Sequence, residues 1–156
     1  MTPSGIKAAV AVPLAAASAV FGVGGYAVLF FVAVTLIDWL TGTMKARKGG
    51  NWASAVAREG LWHKTGEFFS LLVAAGLDML IYCISENIPA LGVNYKAFLL
   101  PVVCLWYICT ELGSILENIG ELGAPVPAFL RKAIALLREK TEASGNEEAA
   151  SREVLK

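Results

Sequence analysis

The sequence predicts an all-α integral membrane protein with three transmembrane helices, a short N-terminal apolar helix and a C-terminal amphipathic helix. Three observations carry that prediction. Hydrophobic residues make up 56% of the 156 residues, and they lie in blocks long enough to cross a bilayer core, which takes about 20 residues per helix. Nearly all the charge falls between those blocks or after the last one. Two acids, Asp38 and Asp78, stand inside the apolar runs, where a carboxylate is costly without a partner or water. A formal net charge of zero gives no global field to recruit nucleic acid or an acidic substrate.

The first apolar block, residues 8–37, is too long for one span and is interrupted by Pro13 and by the Gly22–Gly25 run. Residues 1–25 therefore form an Ala/Gly-rich apolar segment containing a short helix at 8–21. Lys7, the apolar run and the small residues 15–19 also resemble a secretory leader. The apolar run continues well past any cleavage point, which favours retention. Residues 26–122 form the membrane domain, with spans at about 26–43, 65–84 and 97–118.

A basic segment separates the first two spans, with Lys45, Arg47, Lys48, Arg58 and Lys64 against the single acid Glu59. Gly49-Gly50-Asn51 marks a turn, after which a short interfacial helix begins; Trp52 and Trp62 suit the headgroup level. The second span carries Gly66, Ser70 and Ala74 at four-residue spacing, a small-residue stripe that lets helix backbones approach. Lys64, Leu71 and Asp78 recur at seven and share roughly one face.

Pro89, Gly92 and Asn94 supply turn chemistry in the next loop. The third span tolerates Pro101 near its start and bears a polar stripe of Glu111, Ser114 and Asn118. Pro125 and Pro127 stop it. Residues 123–140 read as an amphipathic cytoplasmic helix, with Phe129, Ala133, Leu136 and Leu137 on one side and Arg131, Lys132, Arg138 and Lys140 for an anionic membrane surface. The Glu-rich remainder, 141–156, reads as a disordered polar tail.

Positive-inside logic puts the Lys45–Lys64 loop and the Arg131–Lys140 segment, and with it the C-terminus, in the cytoplasm. Lys45, Arg47, Lys48, Lys64, Arg131 and Lys132 are then topology and membrane-surface anchors. Three spans leave the N-terminus outside; a fourth at 8–21 would bring it inside.

The candidate functional residues are the polar and small groups within the spans. Asp38, Thr41, Gly42 and Lys45 form one helix face at i, i+3, i+4 and i+7. On one reading Asp38 pairs with a basic residue and Gly42 permits close packing; on another the face lines water once several copies assemble. Asp78 needs hydrogen-bond donors from a neighbour, or serves as a proton carrier in an ion-coupled transporter. Glu111, Ser114 and Asn118 suit an interhelical network or a subunit interface.

No enzyme signature is present. The single histidine, His63, has no Ser/Asp partners in a triad pattern, and the glycines make no phosphate-binding motif. Cys83, Cys104 and Cys109 lie in apolar segments without metal-ligand spacing, so neither a metal nor another cofactor is expected.

Three stretches together resemble the holin family of phage lysis and toxin secretion. They are Leu36-Ile37-Asp38-Trp39-Leu40-Thr41-Gly42 before a basic loop, Gly60-Leu61-Trp62-His63-Lys64 leading to Leu77-Asp78, and Glu111-Leu112-Gly113-Ser114-Ile115-Leu116-Glu117-Asn118 continued by Gly120, Gly123 and Pro125-Val126-Pro127. They span about residues 30–137; His63 and the Glu-rich tail match no family pattern. The resemblance implies a homo-oligomer in the host cytoplasmic membrane that opens non-selective lesions at a timed threshold, releasing an endolysin or a toxin. It applies equally to an antiholin, which restrains such a partner. An ion-coupled transporter or channel subunit is the alternative from another class.

Overall fold

A computed structural model describes residues 23–50, 54–88, 90 and 97–153. Four α-helices make up the described part: α1 (Val23–Lys48), α2 (Ser54–Asn87), α3 (Leu99–Glu121) and α4 (Ala128–Glu153). Among the described residues there are no strands. Three stretches are long and apolar enough to cross a membrane: Gly25–Lys48, Gly60–Asn87 and Leu99–Glu121. The fold is therefore all-α with three membrane-spanning helices. The expected N-terminal helix at 8–21 lies outside the described residues.

Two expectations change. The interfacial helix after Asn51 is not a separate element, because α2 runs unbroken from Ser54 through the second span. No proline or glycine pair interrupts the stretch from Ser54 to Lys64, so nothing stops the helix at the membrane boundary. At the other end, α4 continues to Glu153, where a disordered tail was expected from residue 141. Ala and Glu recur there, both good helix formers, and Thr141 is buried, so packing contributes where composition alone suggested disorder.

The central element is α3, against which α1, α2 and α4 all pack. The apolar core joins Phe31 and Val34 of α1, Leu71 of α2, and Leu100, Cys104, Ile108 and Ile115 of α3. Phe31 is fully buried and meets Phe68 edge-on at 5.3 Å between ring centres, a geometry suited to the ring quadrupoles. Outward lie Phe30, Leu36, Leu40, Phe69, Leu72 and Met79, each more than half exposed. In a soluble protein that belt would be a liability; around a membrane bundle it is the lipid-facing surface.

Termination of α3 is specified by one residue. Gly123 adopts φ 96°, a conformation glycine reaches without Cβ strain. It donates its N–H to the Gly120 carbonyl at 3.0 Å, and Ala124 donates to Ile119 at 3.2 Å, the paired bonds of a Schellman cap. The prolines that follow cannot continue the helix, and α4 starts in the reverse direction.

Candidate functional site: a buried charge cluster at the meeting of three helices

The chain direction in each helix brings the first third of α2 opposite the C-terminal half of α1 and the second half of α3. There the Lys64 ammonium lies 2.8 Å from Asp38 Oδ2 and donates to both carboxylate oxygens of Glu111. Asn118 completes the group, donating from Nδ2 to Asp38 Oδ1 at 3.1 Å and to Thr41 Oγ1 at 3.3 Å. Three helices thus place a residue in one network. Glu111 is 2% exposed, and the Lys64 and Asp38 side chains retain only 15% and 13%.

Burial of this kind demands such pairing. An isolated ion at membrane depth costs several kcal/mol, on the order of 3 on insertion scales, whereas charge-assisted hydrogen bonds in a dry setting are strong. One ammonium here serves two carboxylates. A third, Glu67, stands one turn along α2 and faces the same cluster; its Oε2 is buried without a hydrogen-bond partner. Gly42 gives the network room: a Cβ there would come 3.5 Å from Asn118 Nδ2.

The two ends of α3 are held by charges from its neighbours. At the N-terminus, Asp78 of α2 accepts the backbone N–H groups of Phe98 (3.3 Å), Leu99 (3.1 Å) and Leu100 (2.8 Å). The cap residue Phe98 has no side-chain acceptor of its own, so Asp78 supplies from another helix what an N-cap Ser or Asp would supply locally. At the C-terminus, Lys48 of α1 donates to the Leu122 carbonyl at 2.6 Å, and Lys45 pairs with Glu121 at 2.7 Å. A negative group at the N-terminus and positive ones at the C-terminus match the helix dipole.

These placements sort the residues singled out by sequence. Asp38, Thr41, Gly42, Glu111 and Asn118 come together, joined by Lys64. That lysine was expected as a membrane-surface anchor; α2 is continuous, and its ammonium sits within the bundle as a cluster member. Asp78 is buried at the far end of α3. Ala74 is buried at 5% exposure, while Gly66 is exposed with open space beyond it, and Ser70 donates to the Gly66 carbonyl at 3.0 Å. The stripe Gly66, Ser70, Ala74 therefore winds from the surface into the bundle. Ser114 faces α4, away from Glu111 and Asn118. Arg131 packs beside Gly120, and Lys132 and Arg47 are exposed.

Sequence reasoning did not single out Glu67. The signal was there, since Glu67 follows Lys64 by three and so shares its helix face. Among the described residues no group of three or more His, Cys, Asp or Glu side chains is arranged to hold a metal ion.

Comparison with known proteins gives one consistent outcome. The profile of the bacteriophage holin family matches residues 15–139. An uncharacterised protein of Halalkalibacterium halodurans is 32% identical over 125 residues, covering 79% of this chain and 87% of the relative. One from Clostridium perfringens is 31% identical over 121 residues, with 78% and 82% coverage. Another from Bacillus subtilis is 28% identical over 113 residues, with 72% of each chain covered. No solved structure matches the chain.

Proposed function

This chain belongs to the bacteriophage holin family, and on that premise we propose that it is a holin. It accumulates in the bacterial cytoplasmic membrane, self-associates, and at a threshold opens non-selective lesions through which an endolysin, or in a toxin-exporting setting a toxin, leaves the cell. The observation that carries this reading is the Lys64 cluster: Asp38, Glu111, Lys64 and Asn118 satisfy one another inside one subunit, while its outer surface is apolar. Such a subunit is quiet in lipid as a single copy. Opening is a step many copies take together, and until then the cluster holds each bundle closed. Accumulation without leakage, then abrupt opening, follows from that cooperativity.

Topology in this proposal keeps the positive-inside arrangement. The α1–α2 turn and the α3–α4 turn face the cytoplasm; docked α4 runs back along α3 to its start, so a cytoplasmic C-terminus belongs to the state in which α4 has left α3. Lys45, Lys48, Arg131 and Lys132 then stand at an anionic surface.

The ion-coupled alternative draws little from the geometry. Its two candidate carboxylates are engaged, Asp78 with three backbone N–H groups and Glu111 with Lys64. Purified protein in sealed vesicles separates the readings. A lesion-forming protein releases ions and folded-protein-sized dextrans alike above a threshold protein-to-lipid ratio. Proton-dependent uptake of one solute, with dextrans retained, would instead identify a transporter.

A further inference from the structure

α3 carries a second polar face, which the Lys64 cluster leaves out. Thr110, Ser114 and Glu117, spaced at four and three, turn toward α4, where Arg131, Arg138 and Glu142 stand opposite across a cavity of about 490 Å³. This seam is built differently from the first. The interhelical ion pairs Lys45–Glu121, Lys64–Asp38 and Lys64–Glu111 all lie elsewhere. Thr110 spends its hydroxyl on the Trp106 carbonyl of its own helix at 3.0 Å, and Arg138 stacks over the Trp106 ring at 4.5 Å. A cavity of that size, bordered in part by hydroxyl, carboxylate and guanidinium groups, has room and partners for water. The first seam is joined by ion pairs; the second encloses a cavity with room for water.

The helix that closes it is oriented unusually. α4 lies along α3 from one end to the other. A Cβ on Gly120, near the end of α3, would meet the Arg131 guanidinium at 3.0 Å, and one on Gly145 of α4 would meet Val102 near the start of α3 at 3.3 Å. Over that length its Arg131–Arg138 side faces α3, while the apolar stripe of Phe129, Leu136 and Leu137 points outward at 73%, 52% and 51% exposure. An amphipathic helix with its apolar stripe turned to lipid and its basic side to α3 also has a second resting place, flat in the membrane interface with that stripe in the acyl region and its basic side in water.

We propose that the Thr110–Ser114–Glu117 face of α3 is the surface that lines the open lesion, and that α4 is its removable cover. This inference rests on the holin reading above and assigns the water-contacting residues within it. In the covered state α4 keeps the polar face of α3 from meeting the same face of other copies. When α4 moves to the interface, that face is left without its partner, and copies arranged around water satisfy it.

The test uses the full chain in vesicles, with Cys83, Cys104 and Cys109 replaced by Ala. Adding Val102→Cys and Gly145→Cys allows a disulfide between α3 and α4 where the two helices approach closely. Dextran release should fall at least tenfold on oxidation and recover on reduction. Equal release from locked and reduced protein would overturn the cover. A separate single substitution, Ser114→Cys, reads the lining directly: a membrane-impermeant thiol reagent should label it at least tenfold faster during leakage than before it. Protection of Ser114→Cys throughout leakage would overturn the assignment even if the lock variant fails to fold. If the cysteine-free parent releases nothing at any protein-to-lipid ratio, the holin reading itself fails, and this inference with it.

Discussion

Lys64 of α2 stands 2.8 Å from Asp38 of α1, a direct ion pair that ties those two helices together. The two helices otherwise meet mainly through α3. Removing either partner therefore loosens the bundle where its apolar contacts are thinnest.

The first prediction concerns Lys64. Lys64→Met leaves the carboxylates of Asp38 and Glu111 without their ammonium, and breaking a buried pair this way typically costs roughly 3–5 kcal/mol. The variant should melt at lower temperature in detergent and reach its triggering point earlier than the parent at equal membrane abundance. Lys64→Arg keeps the charge and should stay closer to the parent on both counts. Identical melting of Lys64→Met and the parent would remove the cluster from any role in closing the subunit.

Asp78 allows a graded comparison. Asp78→Leu removes the acceptor for three N–H groups at the start of α3, whereas Asp78→Asn retains one oxygen. Loss of an N-cap acceptor costs on the order of 1 kcal/mol, up to about 2. Amide exchange at Leu99 and Leu100 should accelerate most in Asp78→Leu and less in Asp78→Asn, with exchange near Asn118 little altered. Triggering time should shift in the same order.

Gly42 and Asn118 test the space inside the network. A methyl at position 42 would sit 3.5 Å from Asn118 Nδ2, an ordinary contact, so Gly42→Ala should be nearly neutral in melting temperature and timing. Gly42→Leu has no such room and should push Asn118 off Asp38, matching Asn118→Leu in both measurements. A severe defect in Gly42→Ala would mean the helices pack more tightly than this geometry allows.

The turn at Gly123 gives a backbone prediction. At φ 96° an alanine is strained, so Gly123→Ala should destabilise the protein by on the order of 1 kcal/mol or somewhat more. Differential melting of the two proteins in detergent measures this. Gly113→Ala, in helix with open space beyond its Cα, serves as the contrast and should be neutral or slightly stabilising.

Much of this architecture was legible in the sequence, because bilayer physics writes large signals. Twenty apolar residues, a Pro-rich stop and a basic loop each follow from a simple cost. Identifying Asp38 and Asp78 as residues in need of partners used the same reasoning. The partners themselves were harder. Lys64 read as a surface anchor because its neighbours Arg58, Glu59 and His63 look like a loop; only the continuity of α2 carries it inside. Asp78's partners are backbone N–H groups of Phe98, Leu99 and Leu100, which every residue possesses and no composition can flag. Ser114 fell on the same stripe as Glu111 and Asn118, yet a small rotation about α3 turns it toward α4. The docking of α4 was least legible, because its apolar stripe and basic residues point to the membrane surface, whereas the structure lays the helix along α3 with that stripe outward.

The most direct test of the central claim is controlled induction in bacterial cells, following membrane potential and the escape of a cytoplasmic murein hydrolase together. Normal growth for a defined interval, then abrupt depolarisation accompanied by release of the enzyme, is the expected result. Continued growth with intact potential at high membrane abundance would contradict it and leave the antiholin or transporter readings in its place.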